Sequence, residues 1–314
     1  MKSVIKLLAL ASAMAAAVPF SAQAMEDPSL ADLPCHLELS ADNNVQVRGP
    51  YGRGYEVFSE SESFENLGVS IRHVGGPCRF YIAIAAVDPA NATLAGQGQS
   101  LRYDILKSSY GSSALSSDFL GNESARLEGE FTEGAASFGA NLVVNVPARQ
   151  FVRGGTYDGQ VAVRLFRLVD SRPELIAEAP VRISTQVLSA LKVQSDLFPG
   201  NLREGNIDLG ELSYGASRSV EFEVTSNAAV SVVFHSANLG KLRHHAGAPG
   251  IAYRVLAQGQ EIDLASQAGI ARLMTGQDGP ATPMQIEVKV PESARTSAAG
   301  LYNDVLNVTF RAEE

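Results

Sequence analysis

The sequence has no cluster of lysine and arginine residues, and its formal net charge is −9 with a pI near 5.2. A nucleic-acid backbone or an anionic membrane surface favours a basic patch on its partner, so we expect neither as the main partner. No stretch after the first 24 residues repeats apolar residues with the period of a helix. The 314 residues, 45% hydrophobic and 19% charged, suffice for two globular domains.

Residue patterns that carry catalysis are also missing, so we predict no enzymatic activity, no metal site and no cofactor. Ser189-Ala190-Leu191-Lys192 fits Ser-x-x-Lys but lacks the companion motifs of that class of acyl-transfer enzyme. His244 and His245 are adjacent, which in an extended chain points their side chains apart, and the other histidines have no ligand spacing. Gly96-Gln97-Gly98 predicts a turn, with no helix after it to hold a phosphate.

The first 24 residues are typical of a secretory signal peptide. Lys2 and Lys6 precede an apolar run at 7–20, and Ala22-Gln23-Ala24 is a small-x-small cleavage site. The apolar run is shorter than the roughly 20 residues that a membrane-spanning helix needs. We therefore expect cleavage after Ala24 and export of the remaining chain.

Cysteine is limited to Cys35 and Cys78. Exported proteins pass through oxidising compartments, so we expect these two residues to form a disulfide. The alternative is a pair of free, buried thiols. Closing a loop of this size contributes up to roughly 4 kcal/mol to stability in the chain-entropy model.

Short apolar and polar alternations, separated by glycine, proline, asparagine and serine, continue from Cys35 to the end of the chain. Many short strands joined by turn residues are typical of a β-sandwich or barrel. We predict an all-β protein with a signal peptide at 1–24, one β-sandwich at 25–186 and a second at 187–314.

Three pairs of segments indicate that the second sandwich repeats the first. A Gly-x-Tyr opening followed by an alternating run occurs around Tyr157 and again around Tyr302. Residues 142–147 match 286–291, and each of these runs ends at a proline, as expected at the end of a strand. Residues 101–106 likewise match 251–256.

The last predicted strand, at residues 299–310, has one apolar and one polar face. Leu306, Val308 and Phe310 lie on the apolar face, and Asn307 and Thr309 on the other. Only four residues follow Phe310, whereas a further strand follows the earlier copy. We therefore expect the last strand to leave one edge of its sheet unpaired, and we expect a partner to cover that edge.

The second half of the sequence resembles the spore coat protein U family, whose members are subunits of archaic chaperone-usher pili. The resemblance rests on the order of five short motifs: Ile-Asp-Leu-Gly at 207–210, Thr-Ser-Asn at 225–227, Ser-Ala-Asn-Leu-Gly-Lys-Leu at 236–242, Ile-Ala-Tyr at 251–253 and Gly-Leu-Tyr-Asn-Asp-Val at 300–305. It covers the first half only loosely, and the second half lacks a cysteine pair of its own.

This resemblance implies immunoglobulin-like sandwiches, the C-terminal one lacking its last strand. It implies that a periplasmic chaperone first fills the missing position. After passage through an outer-membrane usher, the N-terminal strand of an adjacent pilus subunit replaces the chaperone, which is strand addition at an open sheet edge.

The resemblance further implies a position at the pilus tip, on the cell surface. A subunit within the shaft must donate a strand as well as accept one, and residues 25–34 show no apolar alternation. We therefore expect a tip adhesin whose acceptor groove has an edge formed by Tyr302, Leu306, Val308 and Phe310.

The N-terminal sandwich would then bind a host or abiotic surface through loops at its far end. Tyr51, Tyr55, Phe119 and Leu120 are the candidates, because aromatic residues on glycine-flanked loops suit such contacts. The alternative is that these side chains fold back into the core. Two other classes of function remain open: a secreted carbohydrate-binding β-sandwich protein not assembled into pili, and a periplasmic chaperone, which would need two closed domains and a basic site.

Overall fold

The computed structural model describes residues 34–86, 92–198, 204–265, 269–273 and 281–313. These residues form strands, turns and a single-turn 3₁₀ helix, Glu292–Thr296, with no α-helix among them. The prediction of an all-β protein is therefore confirmed. No helix within the described ranges is long and apolar enough to cross a membrane. The predicted signal peptide and residues 25–33 lie outside the described residues.

The N-terminal sandwich contains twelve of the described strands: β1 (His36–Ala41), β2 (Asn44–Val47), β3 (Ser63–Gly75), β4 (Cys78–Ala86), β5 (Thr93–Gly96), β6 (Gln99–Arg102), β7 (Asp104–Leu106), β8 (Leu115–Ser116), β9 (Leu127–Phe131), β10 (Gly134–Val146), β11 (Gly155–Val169) and β12 (Arg172–Val187). One sheet has the order β1-β3-β10-β7. The other has the order β2-β12-β11-β4-β8, with β5, β6 and β9 attached.

The long hairpin of β11 and β12 dominates the second of these sheets. Asp170 and Ser171 form its turn with φ of 50° and 64°, the left-handed conformations that match the twist of a two-residue hairpin. Strand β12 pairs antiparallel with β11 and parallel with β2. Strand β11 also pairs with β4, so both of its edges are occupied.

The C-terminal sandwich contains the remaining described strands: β13 (Leu191–Gln194), β14 (Ala216–Ser226), β15 (Val230–Ser236), β16 (Lys241–His244), β17 (Ile251–Ala252), β18 (Arg254–Ala257), β19 (Gln260–Ile262), β20 (Gly269–Leu273), β21 (Thr282–Val290), β22 (Tyr302–Asn303) and β23 (Leu306–Ala312). Its main sheet has the order β13-β14-β21-β18-β19. The facing strands form two short sheets, β20-β15-β23 and β17-β16-β22.

The Gly-x-Tyr repeat has the same local geometry in both sandwiches. Gly155 and Gly300 have φ of 138° and 151°, values that favour glycine. The hydroxyl of Tyr157 donates to the carbonyl oxygen of Arg153 at 3.0 Å, and that of Tyr302 donates to Ala298 at 2.8 Å, in each case four residues back. The internal repeat predicted from the sequence therefore extends to individual hydrogen bonds.

A second matched pair of tyrosines supports the same repeat. Tyr103 interrupts β6 and β7, and Tyr253 interrupts β17 and β18 at the corresponding position. Both tyrosines are buried. Strand β7, after Tyr103, pairs with β10, and strand β18, after Tyr253, pairs with β21. Strands β10 and β21 end at Val146 and Val290, each immediately before one of the two matched prolines.

Each sandwich encloses its own cluster of buried apolar residues. The N-terminal cluster includes Val187, the first residue of the predicted second domain, because Val187 is the last residue of β12. The division at residue 187 itself stays a prediction.

Asn227 joins the two sandwiches through a concentrated set of hydrogen bonds. Its side-chain amide donates to the carbonyl oxygens of Val152 at 3.0 Å and Leu188 at 2.9 Å. Its side-chain oxygen accepts from the amide of Ala190 at 2.7 Å, and its own carbonyl accepts from Gly154 at 3.1 Å. One buried residue, immediately after β14, therefore bonds both to the loop before β11 and to the segment that follows β12.

The structure contains the expected disulfide between Cys35 and Cys78. Their Cα atoms are 6.1 Å apart, within the usual range for a disulfide. The bond ties the start of β1 to the start of β4, which lie in different sheets.

Candidate strand-acceptor groove

Strand β23 has a neighbour on one side only. It pairs antiparallel with β15 from Leu306 to Ala312, and no described residue pairs with its other edge. Its counterpart β11 pairs with β12 at the corresponding edge. The expectation of an open edge in the second copy agrees with this arrangement of the described strands.

Apolar side chains along the open edge are only partly covered. Leu306, Val308 and Phe310 are half-buried, whereas Val161, Val163 and Leu165 on β11 are at most 1% exposed. The half-buried side chains that pack on the C-terminal core come from β13, from the segment after it, and from β14, β22 and β23: Leu191, Val193, Phe198, Leu209, Leu212, Ala216, Val220, Tyr302, Leu306, Val308 and Phe310. We name this set the acceptor groove.

Aromatic rings define the floor of the acceptor groove. Phe222 of β14 is 8% exposed and lies between two other rings. Its centroid is 5.3 Å from that of Phe310 on β23 and 5.9 Å from that of Phe198, which follows β13. The groove therefore runs between the edges of the two facing sheets, over an apolar floor.

In the N-terminal sandwich, residues of β12 occupy the corresponding space. Val181, Ile183 and Val187 have no exposed surface, and the hydroxyl of Thr185 donates to the carbonyl oxygen of Val47 at 2.7 Å. The comparison shows what would fill the acceptor groove: one strand with apolar residues at alternate positions.

Residues 204–215, two of which pack on the C-terminal core, have no strand pairing and include a turn at 213–214. They occupy the place in the chain that β2 has in the N-terminal sandwich, between the first strand and the strand that pairs with it. Strand β2 pairs only with β12, and no strand among the described residues of the C-terminal sandwich has the position of β12, so residues 204–215 have no corresponding partner there. The half-buried Leu209 and Leu212 still point toward the core.

A cluster of hydrogen bonds to the carboxylate of Asp304 fixes the chain just before β23. Asp304 accepts hydrogen bonds from the hydroxyls of Ser236 and Tyr253, both at 2.6 Å. It also accepts from the backbone and side-chain nitrogens of Asn238 at 3.1 and 2.8 Å. These residues belong to three of the five family motifs. The motifs contained these residues, but no pattern in the sequence predicted that they meet at one carboxylate.

Tyr302, the fourth predicted groove residue, lies in β22 rather than in β23. Strand β22 pairs with β16, and the Tyr302 ring packs against His244 with centroids 4.8 Å apart. His244 is buried, and its ring contacts that of His245 at 4.7 Å. The expectation that the two histidine side chains point apart is therefore wrong, because the strand ends at His244 and a turn follows.

Tyr55 cannot serve as a surface-binding residue. Its side chain is 1% exposed. Its hydroxyl donates to the carbonyl oxygen of Pro147 at 2.9 Å and accepts from the backbone amide of Gln150 at 2.8 Å. Its backbone bonds to Gln186 and Leu188, beside the junction with the C-terminal sandwich. The prediction for Tyr55 is corrected: the ring folds into the core, as the alternative interpretation had it.

The other three candidate surface residues are exposed but lie apart. Tyr51 is 69% exposed and precedes Tyr55 near the junction, not at the far end. Phe119 and Leu120 are 52% and 38% exposed. Phe119 packs on the outer face of the large sheet, 6.0 Å from the Phe166 ring and beneath the guanidinium of Arg164 at 4.3 Å. The two loops therefore do not form one surface.

The matched tyrosines predict a loss of stability in alkali. Burial raises the pKa of Tyr103 to about 12 from its ordinary value of 10, and burial together with the hydrogen bond to Asp304 raises the pKa of Tyr253. Above pH 10, both tyrosine hydroxyls keep their protons in the folded protein, whereas the same hydroxyls lose them in the unfolded chain. The stabilisation from these two groups is therefore fully present below about pH 10, and at about pH 12 the loss from Tyr103 alone is roughly 2 kcal/mol.

Urea unfolding between about pH 9 and pH 12 measures this loss. Tyr103→Phe has no proton to lose, so the stability of its N-terminal sandwich is expected to depend less on pH above 10 than that of the parent. If the free energy of unfolding fell equally steeply with pH in the parent and in Tyr103→Phe, the raised pKa of Tyr103 would be contradicted.

No protein-family model matches the chain, and no curated protein matches it. Among solved structures, it is similar to the CsuC–CsuE chaperone–tip adhesion subunit complex from the archaic chaperone-usher Csu pili of Acinetobacter baumannii, with 13% identity over 87% of this chain and 99% of that chain and a TM-score of 0.42. The CupB6 tip adhesin from Pseudomonas aeruginosa matches with 12% identity, 87% and 93% coverage and a TM-score of 0.37.

A third similar structure is CfaE, the adhesive subunit of CFA/I fimbria of enterotoxigenic Escherichia coli. It matches with 13% identity over 88% of this chain and 82% of that chain, and the TM-score is 0.35. These identities and TM-scores are too low to assign a function, which has to come from the groove itself.

Proposed function

We propose that this protein is a subunit of an archaic chaperone-usher pilus, positioned at the tip, and that its C-terminal sandwich accepts a donor strand. The observation that carries the proposal is the acceptor groove: an apolar channel beside the open edge of β23, at the position that β12 fills in the N-terminal sandwich. A free carbohydrate-binding protein or a chaperone would need a second sandwich closed by its own strands, which the described residues do not supply.

The N-terminal sandwich provides the template for the strand that would be added. Strand β12 runs antiparallel to β11 and parallel to β2. The donor segment would accordingly run antiparallel to β23 and parallel to residues 207–212, bringing them into the sheet. Its apolar residues would alternate, since only one face of the strand meets the groove.

The partners follow from the same geometry. A periplasmic chaperone would hold the groove closed until assembly, and the adjacent pilus subunit would replace it at the outer-membrane usher. The N-terminal sandwich is closed at the β11 edge by β12, which leaves it to act as the binding head toward a host or abiotic surface.

Immunogold labelling of fibres on cells that express the protein tests the tip position. We expect gold at one end of each fibre, because a tip subunit has a neighbouring subunit on one side only. Gold along the whole shaft would contradict the tip position, and fibres that never carry the protein would contradict the pilus assignment.

A matched pair of substitutions tests the acceptor groove in the same cells. Val308→Asp places a charge in the apolar groove, where an unpaired carboxylate is costly, and is expected to remove the protein from fibres almost completely. Thr309→Asp makes the same change on the opposite, exposed face of β23 and is expected to leave incorporation unchanged. Equal effects of the two substitutions would point to misfolding rather than to strand acceptance.

The exposed candidate residues define a separate test of surface binding. Phe119→Ser with Leu120→Ser is expected to lower attachment of piliated cells about tenfold, as for loss of an aromatic contact residue, with normal fibre numbers. Tyr51→Ser tests the second loop by itself. Tyr110→Ser is the control, because Tyr110 is a fully exposed aromatic residue outside both loops. Attachment that drops equally for Tyr110→Ser would indicate general loss of apolar surface.

A further inference from the structure

A histidine lies beside the disulfide of the N-terminal sandwich. His73, near the end of β3, places a ring nitrogen within 4.8 Å of the Sγ atoms of Cys35 and Cys78, which are bonded to each other in the disulfide. Three different strands bring these residues together, because β1 pairs with β3 and the disulfide joins β1 to β4. Two sulfur atoms and one imidazole nitrogen are a typical donor set for zinc.

The hydrogen bonds of His73 fix which ring nitrogen is available. Its Nε2 lies 2.8 Å from the carbonyl oxygen of Gly76, which can only accept, so Nε2 carries the proton and donates. In the neutral ring, Nδ1 then holds the lone pair. His73 has no exposed surface, and its Nδ1 has no hydrogen-bond partner among the described residues.

A buried lone pair without a partner costs free energy, so Nδ1 calls for an explanation. The ring is held in place by stacking on Phe131, with centroids 4.7 Å apart and planes inclined by 6°. A histidine that donates one N–H to a backbone carbonyl and has no hydrogen bond at its other nitrogen has the arrangement of a histidine that can bind a metal ion.

We propose that, when the disulfide is reduced, Cys35, His73 and Cys78 bind one Zn²⁺ ion through the two thiolates and His73 Nδ1. Reduction adds two electrons and two protons to the disulfide, and a phosphine supplies the electrons as it is oxidised to its oxide with oxygen from water. Binding of Zn²⁺ then releases the two thiol protons to solvent.

The proposed site satisfies the geometry and charge that zinc requires. Ligand atoms around tetrahedral zinc are roughly 3.5–4 Å apart. The ring nitrogen already lies within 4.8 Å of both sulfur atoms, and the two Sγ atoms, bonded to each other in the disulfide, move apart to that spacing after reduction. Two thiolates neutralise the ion, which lowers the cost of holding it in a buried place. Disulfide sulfurs are not thiolate ligands, so the oxidised protein excludes the ion and the redox state selects between the two forms.

Cobalt binding to the full chain tests this site. The protein is reduced with a phosphine, desalted without oxygen and titrated with Co²⁺, which gives thiolate charge-transfer and tetrahedral d–d absorption bands when it replaces zinc. We expect one Co²⁺ per chain, displaced by Zn²⁺, and no binding by the oxidised protein. His73→Gln is expected to weaken binding at least tenfold, by comparison with about 10–100-fold for loss of supporting groups.

His36→Gln is the matched control, because His36 adjoins Cys35 in the chain but is exposed. It is expected to bind Co²⁺ as the parent does. Near-UV circular dichroism follows folding in parallel, and if reduction unfolds the sandwich, Zn²⁺ is expected to restore the fold. Absence of the thiolate band, equal affinity in His73→Gln and the parent, or an unfolded reduced chain that Zn²⁺ does not rescue would each overturn the proposal.

Discussion

A second copy of residues 170–187, attached directly after Glu314, is expected to stabilise the C-terminal sandwich by about 3 kcal/mol and raise its unfolding temperature by roughly 10 °C. The copy contains the turn and β12, and the alignment of Tyr157 with Tyr302 also aligns Val169 with Glu314. The added strand therefore meets β23 in the register that β12 has with β11. In this register Val181 of the copy lies opposite Leu306, and the half-buried Ala179 lies opposite Val308.

The control is the same extension with lysine in place of the copied Val181 and Ile183. These two side chains are fully buried in β12, so lysine at both positions removes the apolar face while keeping length and turn. Calorimetry of both extended proteins separates groove filling from any effect of a longer chain. An unchanged unfolding temperature in the protein with the unaltered copy of residues 170–187 would mean that the groove does not accept a strand in this register.

Asp304→Ala is expected to destabilise the C-terminal sandwich by about 4 kcal/mol, a large part of the stability of a typical domain. The substitution leaves the hydroxyls of Ser236 and Tyr253 and the amide of Asn238 without their acceptor. It also releases the chain at the start of β23, so the edge of the acceptor groove loses its anchor. Urea unfolding followed by circular dichroism measures the change.

Two further variants show whether the carboxylate itself matters. Asp304→Asn keeps the shape but supplies one acceptor oxygen where two are used, and we expect it to cost about half as much as alanine. Ser236→Ala removes one of the donors and is expected to cost about 1 kcal/mol. A loss below about 1 kcal/mol in Asp304→Ala would show that water replaces the carboxylate and that the cluster is not structural.

The sequence predicted those features that depend on short-range alternation and on the repeat. Period-two patterns identified Leu306, Val308 and Phe310 as one face of a strand, and the matched Gly-x-Tyr segments predicted the same local structure twice. With two cysteines in the chain, only one intrachain disulfide could form. These predictions needed no knowledge of which distant segments meet.

Features that depend on tertiary contacts could not be predicted in this way. Tyr55 and Tyr51 share one glycine-rich loop, yet only Tyr55 turns inward, because it bonds to Pro147 and Gln150 far along the chain. The cluster around Asp304 joins segments more than 50 residues apart, as the separations of Asp304 from Tyr253 and Ser236 show. The pattern of apolar and polar residues within one segment carries no information about contacts with distant segments.

The hydrogen bonds of Asn227 have a mechanical consequence. A pull applied between the N-terminal and the C-terminal sandwich crosses the junction along the covalent chain at residues 188–190. The same pull loads in parallel the bonds from Asn227 to Val152, Leu188 and Ala190. The two sandwiches can therefore separate only when these hydrogen bonds break together. We expect the junction to resist small forces and to open abruptly at a larger one.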